Sequence, residues 1–264
     1  MNFIKFRYYL KIWWMLTKNS FTSILSQRIA LAFFLFGKLF RFIFFIIFLY
    51  YLINGTGGLM GYSSLHVIFF FLTFNVVDVL SQFLFREVYR FRPKIISGDF
   101  DLTLVKPINS LFMSLMGGAD LIDFITIPPL LLSLFYIALK LDPTFFQVVV
   151  FLALLLNGLV LATAFHILVL GMAIITLEID HTIMIYRDVT SFGRFPVDIY
   201  KQPLQGLLTY LFPVGLMMTL PAKALVGIVT WQSVVASLLI GVFAFLMSLR
   251  FWNFSLKRYT SASS

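Results

Sequence analysis

The sequence predicts an all-α polytopic membrane protein, and three observations carry that prediction. Hydrophobic residues fill 61% of the 264 positions and charged residues only 12%, about half the charge of a soluble domain. The apolar runs are apolar on every side, a pattern that needs lipid as solvent. Lys and Arg gather in a few loops and leave the others nearly empty, as the orientation rule for membrane helices demands.

A transmembrane helix needs about 20 mostly apolar residues. The first 24 residues are too charged for that. Within them Arg7, Lys11 and Lys18 repeat at spacings of four and seven, with Trp13, Trp14 and other aromatics on the rest of the surface. This is the pattern of an amphipathic helix lying in the membrane interface. The apolar runs then give spans at 29–53, 62–85, 110–139 and 145–177, and a last one at 226–247. Before the last span the chain carries Pro196, Pro203, Pro213 and Pro221. That region is apolar yet too broken for simple helices, so it reads as a short fifth span at about 182–195 and a re-entrant region over 196–222. The fifth span is polar for a span, with Asp180, Arg187, Asp188 and Arg194. A second placement puts 178–203 in the cytoplasm and the fifth span at 204–222.

Orientation follows from the basic residues. Seven lie within 1–41, five within 86–106 and three near the end (Arg250, Lys257, Arg258), whereas the loops after the first and third spans hold only Lys140. Both termini and the loop 86–109 are therefore predicted to be cytoplasmic. The net charge of +9 is then a topology signal, and nucleic acid is not an expected partner. No secretory leader is expected, because no short apolar core precedes a small-residue cleavage site.

Several chemistries drop out. With no Cys there are no disulfides, thiolates or Cys-ligated metals. His66, His166 and His181 stand far apart, so no metal site is predicted. No P-loop, nucleophile elbow or zinc-protease motif occurs. The chain is therefore expected to be neither an enzyme nor the carrier of its own energy source. In such a chain the ordered, polar segment 92–109, with turn signals at Gly98-Asp99 and Lys106-Pro107, reads as a docking surface.

Two segments carry a resemblance. "IISGDFDLTLVKPINSLF" (95–112) and "RFPVDIYKQPLQGLLTYLFPVGLMMTLPA" (194–222) resemble the permease subunits of ABC-2 type exporters, in particular six-span permeases that work with a separate ATPase. The resemblance runs over nearly the whole chain and favours the first placement of the fifth span. It implies a bacterial plasma-membrane protein with two copies of an ABC ATPase and a second permease, identical or related, as partners. ATP and Mg would sit on the ATPase, and this chain would need no cofactor. It further implies that Arg92, Lys94, Gly98, Asp99, Asp101, Lys106 and Pro107 belong to the ATPase-coupling element. Arg194, Pro196, Asp198, Tyr200, Pro203, Pro213 and Pro221 would belong to a re-entrant gate.

Intramembrane charge is the remaining signal. Counting along the helices at about 1.5 Å per residue places Lys38 and Arg41 about 15–20 Å from the cytoplasmic end, Asp78 about 12 Å, and Asp120 and Asp123 about 16–21 Å. Unpaired charges at such depth are costly, so pairing of Lys38 with Asp78, and of Arg41 with Asp120 or Asp123, is expected. The layer is either a packing network or the lining of a translocation path. Two other functions fit parts of the pattern. One is an ion-coupled secondary transporter using these residues. It expects discontinuous helices in both halves of the chain, and here only the C-terminal half is broken. The other, a lipid-modifying membrane enzyme, lacks a catalytic cluster.

Overall fold

The fold was read from a computed structural model, which describes residues 3–56, 59–176 and 179–260. Residues 1–2 of the predicted interfacial helix and residue 177 of the predicted fourth span lie outside these. The described chain is helical throughout, with one isolated bridge between Leu59 and Tyr62. Among the described residues five helices are long and apolar enough to cross a membrane, or six if one bent pair counts as a span.

The helix α1 (Phe3–Leu25) precedes the first of these. It lies against the segment 109–119, where Asn109 N donates to Tyr9 Oη at 3.3 Å and Ala119 N to Thr17 Oγ1 at 3.4 Å. Leu10, Trp14 and Met15 are left exposed. The long helix α2 (Arg28–Thr56) is joined by a short turn to α3 (Ser64–Phe85), which starts on a reciprocal cap between Ser63 and His66. α3 is the most enclosed of the apolar helices, and α2 the least. Its last turn continues as a 3-10 turn, Arg86–Arg90. The end of the molecule marked by these arginines is called the basic end below, and the opposite one the far end.

Two short helices follow at the basic end, α4 (Phe91–Ile96) and α5 (Asp99–Val105), separated at Gly98, whose φ of +79° favours glycine. The next stretch departs from the sequence reading, which ran one span over 110–139. The chain forms a short helix α6 (Ser110–Leu115), breaks over 116–120, and restarts as α7 (Leu121–Lys140) with Asp120 as N-cap. The break has a steric cause. A Cβ on Gly117 would lie 2.6 Å from Glu87 Cγ and from the Met113 carbonyl, and one on Gly118 would touch Ser20. The two glycines let the chain pass close to α1 and to Glu87.

The helix α8 (Phe145–Thr176) is the central column, and its most extensive partner is α12 (Trp231–Leu256). Lipid supplies little hydrophobic drive between helices, so close packing and polar contacts hold them. Here small residues on α12 (Ser237, Gly241, Ser248, Ser255) are buried against α8. Asn157 Nδ2 donates to the Ser237 carbonyl at 2.9 Å and to its hydroxyl at 3.0 Å. α12 begins at Trp231, five residues after the start of the predicted last span. Gly227, at φ +81°, ends the preceding helix, and Thr230 caps α12 by accepting from Ser233 N at 3.3 Å.

Between α8 and α12 the chain forms α9 (Ile179–Ser191), 3-10 turns at Phe192–Arg194 and Val197–Ile199, and two helices, α10 (Leu204–Leu211) and α11 (Gly215–Val226), bent by 75°. α9 alone has 13 residues, about 20 Å, short of a hydrocarbon core of about 30 Å. The turns extend it. Ile183 packs in the basic-end cluster with Phe85, Val88 and Ile95, while Asp198 accepts from Tyr62 Oη at 3.1 Å, just before α3 begins at the far end. The segment 183–198 thus runs the full length of α3. The bent pair packs at the far end: Leu208, Met217 and Met218 share a core with Leu49, Val67 and Leu161.

Candidate functional site

The charged residues at mid-depth come from four elements. α2 supplies Lys38 and Arg41, α3 Asp78, α7 Asp123, and the run through α9 and its 3-10 turn Arg187 and Arg194. Lys38 Nζ donates to Asp123 Oδ1 in an ion pair whose side chains are 23% and 5% exposed. Arg86 Nε pairs with Asp120 Oδ2 at 3.1 Å. Asp120 Oδ1 also accepts from the backbone N–H groups of Ile122 (2.7 Å) and Asp123 (3.3 Å). Both carboxylates thus sit at the N-terminus of α7, where the helix dipole favours negative charge.

This pairing differs from the expected one, in which Lys38 met Asp78 and Arg41 met Asp120 or Asp123. The reason is the break at 116–120. Because α7 starts at Leu121 and not at 110, Asp120 sits level with Arg86 at the basic end, and only Asp123 reaches Lys38. Asp78 accepts a hydrogen bond from Gln82 Nε2 at 2.8 Å and interacts through space with Arg187, Lys38 and Arg41. Arg86 had counted only toward orientation, and Gln82 toward nothing. The α3 spacing Asn75-x2-Asp78-x3-Gln82 puts three polar groups on one helical face, and that signal was available in the sequence.

A cavity of about 160 Å³ opens in this layer. Lys38, Arg41, Asp78, Arg187 and Arg194 line it together with the rings of Phe42, Phe45, Phe71 and Phe74. Arg194, which the resemblance groups with a gate, faces this cavity, with its guanidinium 6.0 Å from the Phe74 ring centre. The side chain of Asp180 lies outside the described residues.

The other residues that the resemblance assigns to a gate gather at the far end. Asp198 pairs with Lys223 Nζ at 2.7 Å while holding Tyr62. Val197 N donates to Thr219 Oγ1 at 3.1 Å, and Tyr200 Oη to the Phe192 carbonyl at 3.0 Å. Pro196, Pro213 and Pro221 are buried; Pro213 stands in the bend between α10 and α11, and Pro203 precedes α10 behind a cis peptide bond. Lys223 was not among the predicted site residues.

At the basic end, α4 and α5 form a compact element. Phe91 and Phe100 are fully buried and meet edge to face at 5.0 Å. Phe100 also contacts Trp252 (6.4 Å) and Tyr259 (5.1 Å) of the C-terminal segment. Ser97 Oγ donates to Asp99 Oδ2 at 2.7 Å across the turn at Gly98. Lys94 turns inward to pair with Glu87, and Arg92, Asp99, Lys106 and Pro107 are exposed, with Asp101 half-buried. Apolar side chains also point outward: Ile96, Leu102 and Val105 are 60%, 63% and 85% exposed. Among the described residues no group of three or more His, Asp or Glu is arranged to hold a metal ion.

Comparison with known families places these features together. Residues 38–263, a range that holds the charged layer, the α4–α5 element and the bent pair, match the family described as ABC-2 family transporter protein. No curated protein and no solved structure matches the chain. With the family match covering most of its length, the chain belongs to the ABC-2 family of transporter proteins.

Proposed function

We propose that this chain is the permease subunit of an ATP-driven exporter. It forms the translocation path with a second permease subunit and is coupled through residues 92–109 to a separate ATPase that holds ATP and Mg. The basic end is cytoplasmic, as the Lys and Arg distribution requires, so both termini lie inside a bacterial plasma membrane. The observation that carries the reading is the α4–α5 element. Phe91 and Phe100 anchor it to α12, and it presents Ile96, Leu102 and Val105 outward beside Arg92, Asp99 and Lys106. Apolar side chains displayed on the aqueous side mark a protein contact. A rigid anchor to α12 and α8 then carries movement of that contact into the spans.

In this reading residues 179–199 form the fifth crossing, supported by the contacts of Ile183 at one end of α3 and Asp198 at the other. The bent pair α10–α11 enters from the outer face as a re-entrant gate, held by the Asp198–Lys223 pair. The helix α1 lies in the inner interface with Trp14 toward lipid.

Co-purification with the ATPase tests the proposal. In detergent the ATPase is retained by the native chain, and Leu102→Asp with Val105→Asp lowers retention about 30-fold, as expected for loss of two apolar contacts of about 1 kcal/mol each. Unchanged retention, together with normal transport after reversal of Asp99 and Lys106, overturns the coupling role.

A further inference from the structure

The mid-depth cavity is unbalanced in charge. Lys38, Arg41, Arg187 and Arg194 line it against a single carboxylate, Asp78. Lys38 is neutralised by Asp123, which lies outside the lining. Among the described residues, Arg41, Arg187 and Arg194 form no ion pair. Asp78 interacts through space with Arg187, Lys38 and Arg41. Two positive charges are left without a counter-charge in a layer where uncompensated charge is costly.

The rest of the wall is apolar and aromatic. Phe42, Phe45, Phe71 and Phe74 stack along one side, with Phe45 and Phe71 centroids 4.5 Å apart. The lining comes from α2, α3, α7 and the run through α9 and its 3-10 turn, and Arg41, Pro129 and Arg187 within it are exposed. Phe40 and Phe44, on the same helix as Arg41, are exposed.

We infer that this cavity binds an anionic amphiphile, with a carboxylate or phosphate against Arg41, Arg187 and Arg194 and an apolar body along the phenylalanine wall. A guanidinium is suited to such oxyanions because its planar donors match their geometry. Asp78 sets the strength: its charge, acting through space on Arg187 and Arg41, weakens the hold on an anion enough to permit release. As an account of cargo the inference rests on the permease reading, whereas the binding site stands on the cavity alone.

The test measures equilibrium binding of labelled dodecyl phosphate to the purified chain in nanodiscs of zwitterionic lipid, with empty nanodiscs subtracted. Dodecyltrimethylammonium, dodecyl maltoside and inorganic phosphate serve as competitors. Dodecyl phosphate binds about tenfold tighter than the cationic or neutral amphiphile, and Arg187→Gln with Arg194→Gln removes that preference, the scale of losing charge-assisted hydrogen bonds. Asp78→Asn tightens binding severalfold, a gain that a misfolded variant does not give. Equal binding of the three amphiphiles, a preference that survives the double substitution, or weaker binding in Asp78→Asn overturns the site. Inorganic phosphate competing as well as dodecyl phosphate assigns the anion to a free solute and overturns the amphiphile. A second measurement, ATP-driven efflux of dodecyl phosphate from vesicles holding the ATPase, separates the two readings. Binding without efflux overturns the cargo role and leaves the site. Lost binding with the ATPase still retained overturns the site and leaves the coupling role.

Discussion

Removing Lys38 is expected to destabilise the protein more than removing its partner. Asp123 is 5% exposed and Lys38 23%. Replacing Lys38 with Met strands a buried carboxylate one turn from Asp120, leaving Arg86 as the one cation paired at the start of α7. Breaking a buried pair by removing one member costs about 3–5 kcal/mol. The partial exposure of Lys38 and the favourable dipole at the start of α7 put this case near the low end, at about 3 kcal/mol. Asp123→Ala leaves a cation that lines the cavity and can turn toward Asp78, so its cost is about 1–2 kcal/mol. The double variant loses both charges and strands neither, which makes the coupling energy about 2 kcal/mol. The assay is reversible unfolding in mixed micelles on a double-mutant cycle. The same cycle on Lys38 and Asp78 should give under about 0.5 kcal/mol. A Lys38–Asp123 coupling below that value, or a larger one for Lys38–Asp78, would falsify the pairing and with it the depth assigned to α7.

Three further outcomes are expected. A Cβ on Gly158 would lie 2.5 Å from the Met217 carbonyl, so Gly158→Ala pushes α11 off α8 and lowers stability by about 1–3 kcal/mol; a melting temperature unchanged from the native chain contradicts the contact. Phe100→Ala empties a fully buried site between α5, Trp252 and Tyr259. It should cost about 3–5 kcal/mol, detected as early proteolysis of 91–109 and as ATP hydrolysis uncoupled from export; intact coupling argues against the lever. Because the native chain has no Cys, thiol labelling reads topology cleanly: Cys at Tyr200 reacts with an impermeant reagent from outside and Cys at Ser97 only from inside. Inside reactivity at position 200 removes the re-entrant placement of α10–α11.

Much of this molecule is local, and local features are legible. Solvent is set by composition, since a run apolar on all sides has no stable home in water, and the existence of the long helices α2, α3, α7, α8 and α12 follows from that, though not where α7 and α12 begin. Depth along a helix is also local, because it grows by about 1.5 Å per residue; the sequence therefore places Lys38, Arg41, Asp78, Asp120 and Asp123 in one layer, from which the later start of α7 removes Asp120 to the level of Arg86. The turn at Gly98 and the bend at Pro213 were likewise visible in residue types that break helices.

What sequence alone did not decide is which charges meet. The partner of Lys38 depends on where α7 begins, and that start is set by Gly117 and Gly118 passing close to Glu87 and Ser20, contacts between residues far apart in the chain. The same holds for Arg194. The family resemblance groups it with a gate, and the 3-10 turn at 192–194 turns it onto Phe74 and into the cavity. Spacing gives the depth of a charge only along an unbroken helix, and the break at 116–120 took Asp120 out of its predicted layer. Facing direction and partner were left to the tertiary structure, because they are properties of several helices packed together.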